Sequence, residues 1–151
     1  MDINVAVQAA PFSMNYGYDE TLTGRSDIGA VVSFTGLVRD FNETPDVTGL
    51  TLEHYPGMTE RTLKEIGEQA WQRWSLQAVR IIHRVGYLAP GDPIVRVLVA
   101  SAHRREAFEA CDFIMDFLKT QAPFWKKEHS NQGEYWVKER ASDQQDAGRW
   151  G

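Results

Sequence analysis

The segment Ser101–Glu106, with the sequence SAHRRE, concentrates cationic side chains where a predicted strand meets a predicted helix. His103, Arg104 and Arg105 would all lie in the first turn of that helix, where the helix dipole already places about half a positive charge. A bound phosphate would compensate them, because free backbone N–H groups, the dipole and a guanidinium can bind it together. Alternatively, Glu106 and other carboxylates simply screen these charges on a solvated surface.

A second cationic cluster comprises Lys119, Lys126 and Lys127 in the segment FLKTQAPFWKKEH. Lysines close to aromatic rings and to one another can lose hydration, which favours the neutral amine and yields a nucleophile or proton donor near neutral pH. Such groups would suit acyl or sulfur transfer. The alternative is that Lys119 complements the C-terminal end of a helix dipole, and that Lys126 and Lys127 are ordinary charges on a strand edge.

The remaining candidates are isolated. Arg39 ends the apolar segment SFTGLVR, where it could reach a phosphate or mark the return to solvent. Cys111 lies on an apolar helix stripe and is predicted to be a buried thiol rather than a nucleophile. The histidines lack metal-ligand spacing, and no Gly-rich phosphate loop or Gly-x-Ser-x-Gly motif is present. We therefore predict no metal and no cofactor.

Hydrophobic periodicity predicts the elements that hold these residues. Apolar residues at helical spacing predict helices over 58–74 and 104–120, the latter with Phe108 on its apolar stripe. Strand pairs are predicted at 28–39 with 48–55 through a long loop, at 78–85 with 94–101, and at FWKKEH with EYWVKE around an Asn-Gln-Gly turn. Residues 2–7 are a further predicted strand, 11–24 a predicted loop, and GYLAPGDP a predicted turn.

Mixed strands and helices without regular βαβ alternation predict one α+β domain over 1–151 with mainly antiparallel sheet and a polar tail from about residue 142. The net charge of -5 and pI of about 5.3 argue against a nucleic-acid partner. No apolar run reaches the roughly 20 residues that span a bilayer, so we expect no membrane association. The single cysteine and the lack of a signal-peptide pattern favour the cytoplasm.

Five segments in this order resemble the large subunits of molybdopterin synthase: FTGLVR, LTLEHYPGM, HRVGYLAPGD, SAHRREAFEAC and FLKTQAPFWKKE. The likeness covers roughly residues 28 to 146. It implies an α/β hammerhead-type fold with two main helices and an extra small antiparallel β-subdomain. It also implies a homodimer within a heterotetramer.

The resemblance further implies a sulfurtransferase of molybdenum cofactor biosynthesis. Its partner would be a small ubiquitin-like sulfur-carrier subunit, whose thiocarboxylated Gly-Gly tail delivers sulfur to cyclic pyranopterin monophosphate to form the dithiolene. Lys119 and Lys126 match the catalytic lysines of that family, and Arg39, His103 and Arg104 match its anion-binding residues. The substrate-binding residues expected beside them are Leu37, mainly through its backbone, Val38, Lys127, Glu128 and Arg140.

Helix geometry adds an independent hypothesis. Fifteen helical steps separate Arg104 from Lys119, which is about 22 Å, longer than a pterin monophosphate would span. We therefore expect His103 and Arg104 of one chain to complete the site that holds Lys119 and Lys126 of another, across a two-fold dimer.

Two other functions stay open from the residues themselves. The chain could be a non-catalytic adaptor that docks a ubiquitin-like protein through an apolar surface and a basic groove. It could also be a transferase or hydrolase of another phosphorylated metabolite that uses the same cations without a protein partner.

Overall fold

The computed structural model describes residues 1–39, 47–130, 133–137 and 141–150. The strands are β1 (Ile3–Gln8), β2 (Ala30–Leu37), β3 (Val47–His54), β4 (Ala78–Arg84), β5 (Gly86–Leu88), β6 (Pro93–Ser101), β7 (Phe124–Ser130) and β8 (Gly133–Val137). The helices are α1 (Tyr18–Leu22), α2 (Met58–Arg73), α3 (Arg104–Gln121) and α4 (Ala141–Gly148).

The first sheet has the strand order β1-β4-β6-β2. Strand β1 runs parallel to β4, and the other neighbours are antiparallel. Its central strands, AVRIIHR and PIVRVLVAS, are nearly continuous apolar runs because both of their faces are covered. One face packs against α2 and α3, and Arg80 and Arg96 on the other face lie beneath the segment that carries Tyr16 and Gly17.

The main core lies between the first sheet and the two long helices. Fully buried side chains of α2 and α3 face the sheet because each helix carries apolar residues at helical spacing. The predicted thiol is confirmed: Cys111 is buried, and burial raises its pKa to about 12. The prediction that Phe108 lies on the apolar stripe was wrong, because this side chain is 60% exposed although it directly follows the buried Ala107.

The second sheet has the strand order β5-β3-β7-β8 and is antiparallel throughout. Its small core consists of the buried side chains of Val38, Leu50, Leu52 and Leu88. We call the face that carries Leu50, Leu52 and Leu88 the inner face of the second sheet, and the opposite one its outer face.

The expected class, α+β with mainly antiparallel sheet, two main helices and a small second sheet, is confirmed. Helices α2 and α3, the antiparallel pair β4 and β6, and the hairpin of β7 and β8 are confirmed as well.

The predicted hairpin of 28–39 with 48–55 was wrong, because its two strands belong to different sheets. Strand β2 pairs with β6 over its whole length, whereas β3 pairs with β5 and β7. The alternating leucines of β3 are buried against Val38 and Leu88, and this burial places β3 in the second sheet rather than beside β2.

Other segments are more ordered than predicted. The predicted loop 11–24 contains α1, and the predicted turn GYLAPGDP contains β5, which pairs with β3. The tail, predicted to be polar, contains α4 and ends in two docked side chains.

The docked end of the chain consists of Arg149 and Trp150. Arg149 lies 2.8 Å from carboxylate oxygens of both Asp112 and Asp116 on α3. The Trp150 ring packs edge to face on Phe113, with centroids 5.6 Å apart, and its indole N–H donates to Asp116. An aromatic side chain in a polar tail thus holds the end of the chain against the main core.

No helix within the described ranges is long and apolar enough to cross a membrane.

Candidate functional site

Strand β7 presents alternate side chains to opposite faces of the second sheet. Lys126 pairs with Leu52 and Glu128 with Leu50, so these two charged residues point to the inner face. Lys126 is nonetheless exposed. The inner face is therefore exposed to solvent at Lys126, whereas it is buried at Leu50 and Leu52.

The segment Leu37–Arg39 reaches the same inner face from the end of β2. Val38 is 4% exposed and packs into the small core of the second sheet. Its N–H donates to the Asp92 carbonyl at 2.9 Å, and its carbonyl accepts from the Gly91 N–H at 2.5 Å. Val38 is thus fixed by two backbone hydrogen bonds, and Arg39, the next residue, is exposed.

Lys119 lies exposed in the last turn of α3, one short connection before β7 begins. That connection is anchored at Pro123, whose carbonyl accepts a hydrogen bond from the Thr59 hydroxyl at 3.2 Å. The same hydroxyl accepts from the Tyr55 N–H at 3.0 Å. The beginning of α2 thus holds the joint between the helix end with Lys119 and the strand with Lys126.

His83 occupies the joint between the two sheets, next to this group. Its ring stacks on Phe124 with centroids 3.9 Å apart and an interplanar angle of 20°. Its Nδ1 lies 2.8 Å from the Arg84 carbonyl oxygen. Burial, assisted by the nearby charges of Lys126 and His54 and opposed by the hydrogen bond with the Arg84 carbonyl, lowers the pKa of His83 to about 4. This hydrogen bond satisfies one ring nitrogen of the buried His83. No local sequence pattern predicts the proximity of His83 to Lys126.

His103 and Arg104 lie at the opposite end of α3 from Lys119. Both side chains are exposed, and His103 is the residue before the first helical turn, in extended conformation. Arg104 borders a shallow surface depression together with Arg105, Phe108 and Glu109. Since one helix separates the two cationic groups by about 22 Å, a single chain does not bring them together.

Lys127 lies on the outer face and is engaged there. Its ammonium is 3.7 Å from a Glu134 carboxylate oxygen and 4.8 Å from the centre of the Trp136 ring. The structure therefore places Lys127 apart from Lys126 and Glu128, although the three are adjacent in sequence. Arg140 lies outside the described residues.

The family model described as MoaE protein matches residues 7–121, a range that includes Arg39, His103, Arg104 and Lys119 and ends before Lys126. The molybdopterin synthase catalytic subunit of Vibrio cholerae serotype O1 is 55% identical over 150 residues, covering 99% of each chain.

Solved structures agree with this similarity. The molybdopterin biosynthesis MoaE protein from Burkholderia ambifaria MC40-6 is 44% identical with a TM-score of 0.85, over 100% of this chain and 99% of that one. Molybdopterin synthase from Staphylococcus aureus is 31% identical with a TM-score of 0.81, over 87% of this chain and 95% of that one.

Proposed function

This chain belongs to the MoaE protein family and is an enzyme subunit of molybdopterin biosynthesis, and we propose that its reaction is sulfur transfer to an anionic pterin. The sulfur donor is the thiocarboxylated C-terminus of a small ubiquitin-like carrier subunit, and the acceptor is cyclic pyranopterin monophosphate. The single cysteine is buried as a thiol, which suits the cytoplasm and leaves the carrier as the source of sulfur.

One arrangement supports this proposal: Val38, which precedes Arg39, packs into the inner face that carries Lys126 and Glu128, and Lys119 lies in the last turn of α3, shortly before β7. This arrangement offers cations from three separate elements to one substrate that bears a phosphate. A guanidinium binds phosphate through paired N–H donors, whereas ammonium groups act as compact charges that can also move a proton.

The roles follow from these chemical types. Arg39 holds the phosphate, and the backbone of Leu37 and Val38 supports it. Lys119 acts at the reacting carbon and carbonyl, where its ammonium stabilises developing negative charge or transfers a proton. Lys126 steers the carboxylate tail of the carrier and shares this electrostatic task.

Each transfer breaks the carbon–sulfur bond of the thiocarboxylate and forms a carbon–sulfur bond at a pterin carbon, where a carbon–oxygen bond breaks and its oxygen leaves as water or stays on the phosphate. The carbonyl carbon of the carrier takes an oxygen from water and leaves as a carboxylate. Two such transfers supply both sulfur atoms of the dithiolene.

A second copy of this chain completes the site by contributing His103 and Arg104. The length of α3 supports this arrangement, because one helix cannot hold both of its ends against one small substrate. The exposure of Phe108 supports it as well: this side chain lies one turn after Arg104 on the same side of α3 and would be buried against the second copy.

Reconstitution tests the proposed reaction. Purified chain is incubated with cyclic pyranopterin monophosphate, with and without thiocarboxylated carrier, and dithiolene formation is measured. We expect product only with the carrier, and a loss of about 100-fold or more in Lys119→Ala. Carrier binding without product would favour the adaptor, turnover without carrier would favour another transferase or hydrolase, and near-normal turnover of Lys119→Ala would contradict its assigned role.

Mixing two inactive variants tests the shared site. One carries His103→Ala with Arg104→Ala, and the other carries Lys119→Ala with Lys126→Ala. After unfolding and joint refolding, we expect about a quarter of wild-type activity, because half of the randomly formed dimers contain one intact site. If the site lies within one chain, the mixture stays inactive.

A further inference from the structure

His83 joins the two sheets at the start of the strand that carries Lys126. It lies near the end of β4 in the first sheet. Its ring stacks on that of Phe124, the first residue of β7 in the second sheet. Phe124 and Lys126 point to the same face of β7, two residues apart, which is about 7 Å along the strand. The ring of His83 therefore supports the strand directly beside Lys126.

The protonation state of this ring follows from its surroundings. The Arg84 carbonyl can only accept a hydrogen bond, so the Nδ1 of His83, 2.8 Å away, carries the hydrogen. Among the described residues, the titratable groups whose charge acts on the ring are Lys126 on β7 and His54 on β3, and together with burial they disfavour a second proton. The neutral ring therefore leaves Nε2 as a hydrogen-bond acceptor.

An apolar ring would fill this place without the cost of burying a polar one. Phenylalanine would stack on Phe124 equally well and has no polar atoms to desolvate. What imidazole adds is the acceptor at Nε2. The ammonium of Lys126 has three donors and no acceptor, so it is the complementary group within this joint.

We propose that His83 is a positioning residue for Lys126: its ring fixes the start of β7 by stacking on Phe124, and its Nε2 accepts a hydrogen bond from the Lys126 ammonium. The catalytic consequence rests on the proposed function, but the contact itself does not. It directs the ammonium, while the ring stays neutral throughout the physiological range.

Amine reactivity tests the contact without any turnover. Wild type, His83→Phe and His83→Gln are treated with limiting acetic anhydride at pH 8, and acetylation of Lys126 is measured by mass spectrometry relative to exposed Lys64 on α2. His83→Phe keeps the stacked ring but removes the acceptor, so we expect Lys126 to react about threefold faster. His83→Gln keeps an acceptor near the Nε2 position and should stay close to wild type.

The matched control is His129→Phe, which makes the same exchange on the outer face of β7. It should leave the acetylation of Lys126 unchanged. If the acetylation of Lys126 is unchanged in folded His83→Phe, the proposal is overturned. If His83→Phe does not fold, 15N spectra of the wild-type imidazole decide instead: a hydrogen on Nδ1 with a bare Nε2 from pH 5 to 8 supports the assignment, and the reverse tautomer overturns it.

Turnover then separates this proposal from the proposed function. We expect kcat of His83→Phe to fall about tenfold with little change in KM, and His83→Gln to recover most of it. Faster acetylation with unchanged kcat would keep the contact and contradict the catalytic role of Lys126. Unchanged acetylation with lowered kcat would overturn the contact and leave the proposed function intact.

Discussion

Lys126 and Lys127 are neighbours in sequence, yet they belong to different chemical environments. Lys126 lies on the inner face of the second sheet, beside the joint that contains His83 and Phe124. Lys127 lies on the outer face, where it contacts Glu134 and Trp136. Successive side chains of a strand point to opposite faces of the sheet. A candidate catalytic lysine and a surface lysine can therefore be adjacent in the sequence.

The outer face forms a network of its own. His129 lies 3.1 Å from a Glu134 carboxylate oxygen and 2.6 Å from the Thr51 hydroxyl, and Glu134 also contacts Lys127. Its charges are balanced by neighbours on the same two strands and on β3. The inner face instead receives a side chain from elsewhere in the chain, namely Val38 from the segment that follows β2. This difference is the reason why we propose that the substrate binds to the inner face.

Replacing each of the two lysines by alanine should give the largest difference in kcat between the two faces. We expect Lys126→Ala to lower kcat about 100-fold or more, because it removes a positive charge from the reacting groups. Lys127→Ala should change kcat by about threefold or less, because its exposed contacts contribute little. Both are measured as dithiolene formation with saturating thiocarboxylated carrier, with thermal unfolding as the control for folding. Equal losses in the two variants would contradict the assignment of faces.

Acid stability should distinguish the histidines of the two faces. Burial lowers the folded-state pKa of His83 from its ordinary 6.5 to about 4, so the unfolded chain binds more protons between these values. Stability should therefore decrease as pH falls from about 6.5 to about 4, by roughly 3 kcal/mol at most for this residue. Urea unfolding at both pH values should give a smaller acid loss in His83→Phe than in wild type.

His129→Phe is the control for this measurement and should retain the part of the acid loss that His83 causes. An acid loss in His83→Phe equal to that of wild type would show that the buried ring is not neutral in the folded protein.

The smallest effect should come from the ion pair of the outer face. Glu134 is about half exposed, with a side-chain exposure of 55%, so Glu134→Gln should cost about 1 kcal/mol or less in the free energy of unfolding. The cost should shrink further at high salt, because exposed charges are screened. Urea titrations at low and high ionic strength measure both values. A cost above about 2 kcal/mol that persists in salt would mean that the outer face has a larger structural role.

Local patterns predicted the elements better than their partners. The helical spacing of Leu63, Ile66 and Ala70 was sufficient to predict α2, because one buried stripe defines a helix on its own. Strands β2 and β3 were assigned to one hairpin, since they are adjacent in sequence. Their true partners are set by burial against β6 and Val38, which depends on residues far along the chain.

The candidate site follows the same rule. The cationic residues were recognisable by type. Strand alternation predicts that Lys126 and Lys127 lie on opposite faces, but the sequence does not indicate which of them lies on the inner face. The stack of His83 on Phe124 joins residues that are 41 positions apart in two sheets (124 − 83), and no local pattern predicts it. The docking of Trp150 was missed for the same reason: its partners Trp74 and Phe113 come from distant helices.

A crystal structure of the chain with cyclic pyranopterin monophosphate tests the central claim most directly, because the phosphate marks the anion site. We predict that the phosphate binds Arg39 on the inner face, within hydrogen-bond distance of His103 or Arg104 from a second copy, and that the pterin lies between Lys119 and Lys126. A phosphate held by residues of one chain alone, or bound on the outer face beside Lys127, would contradict this account.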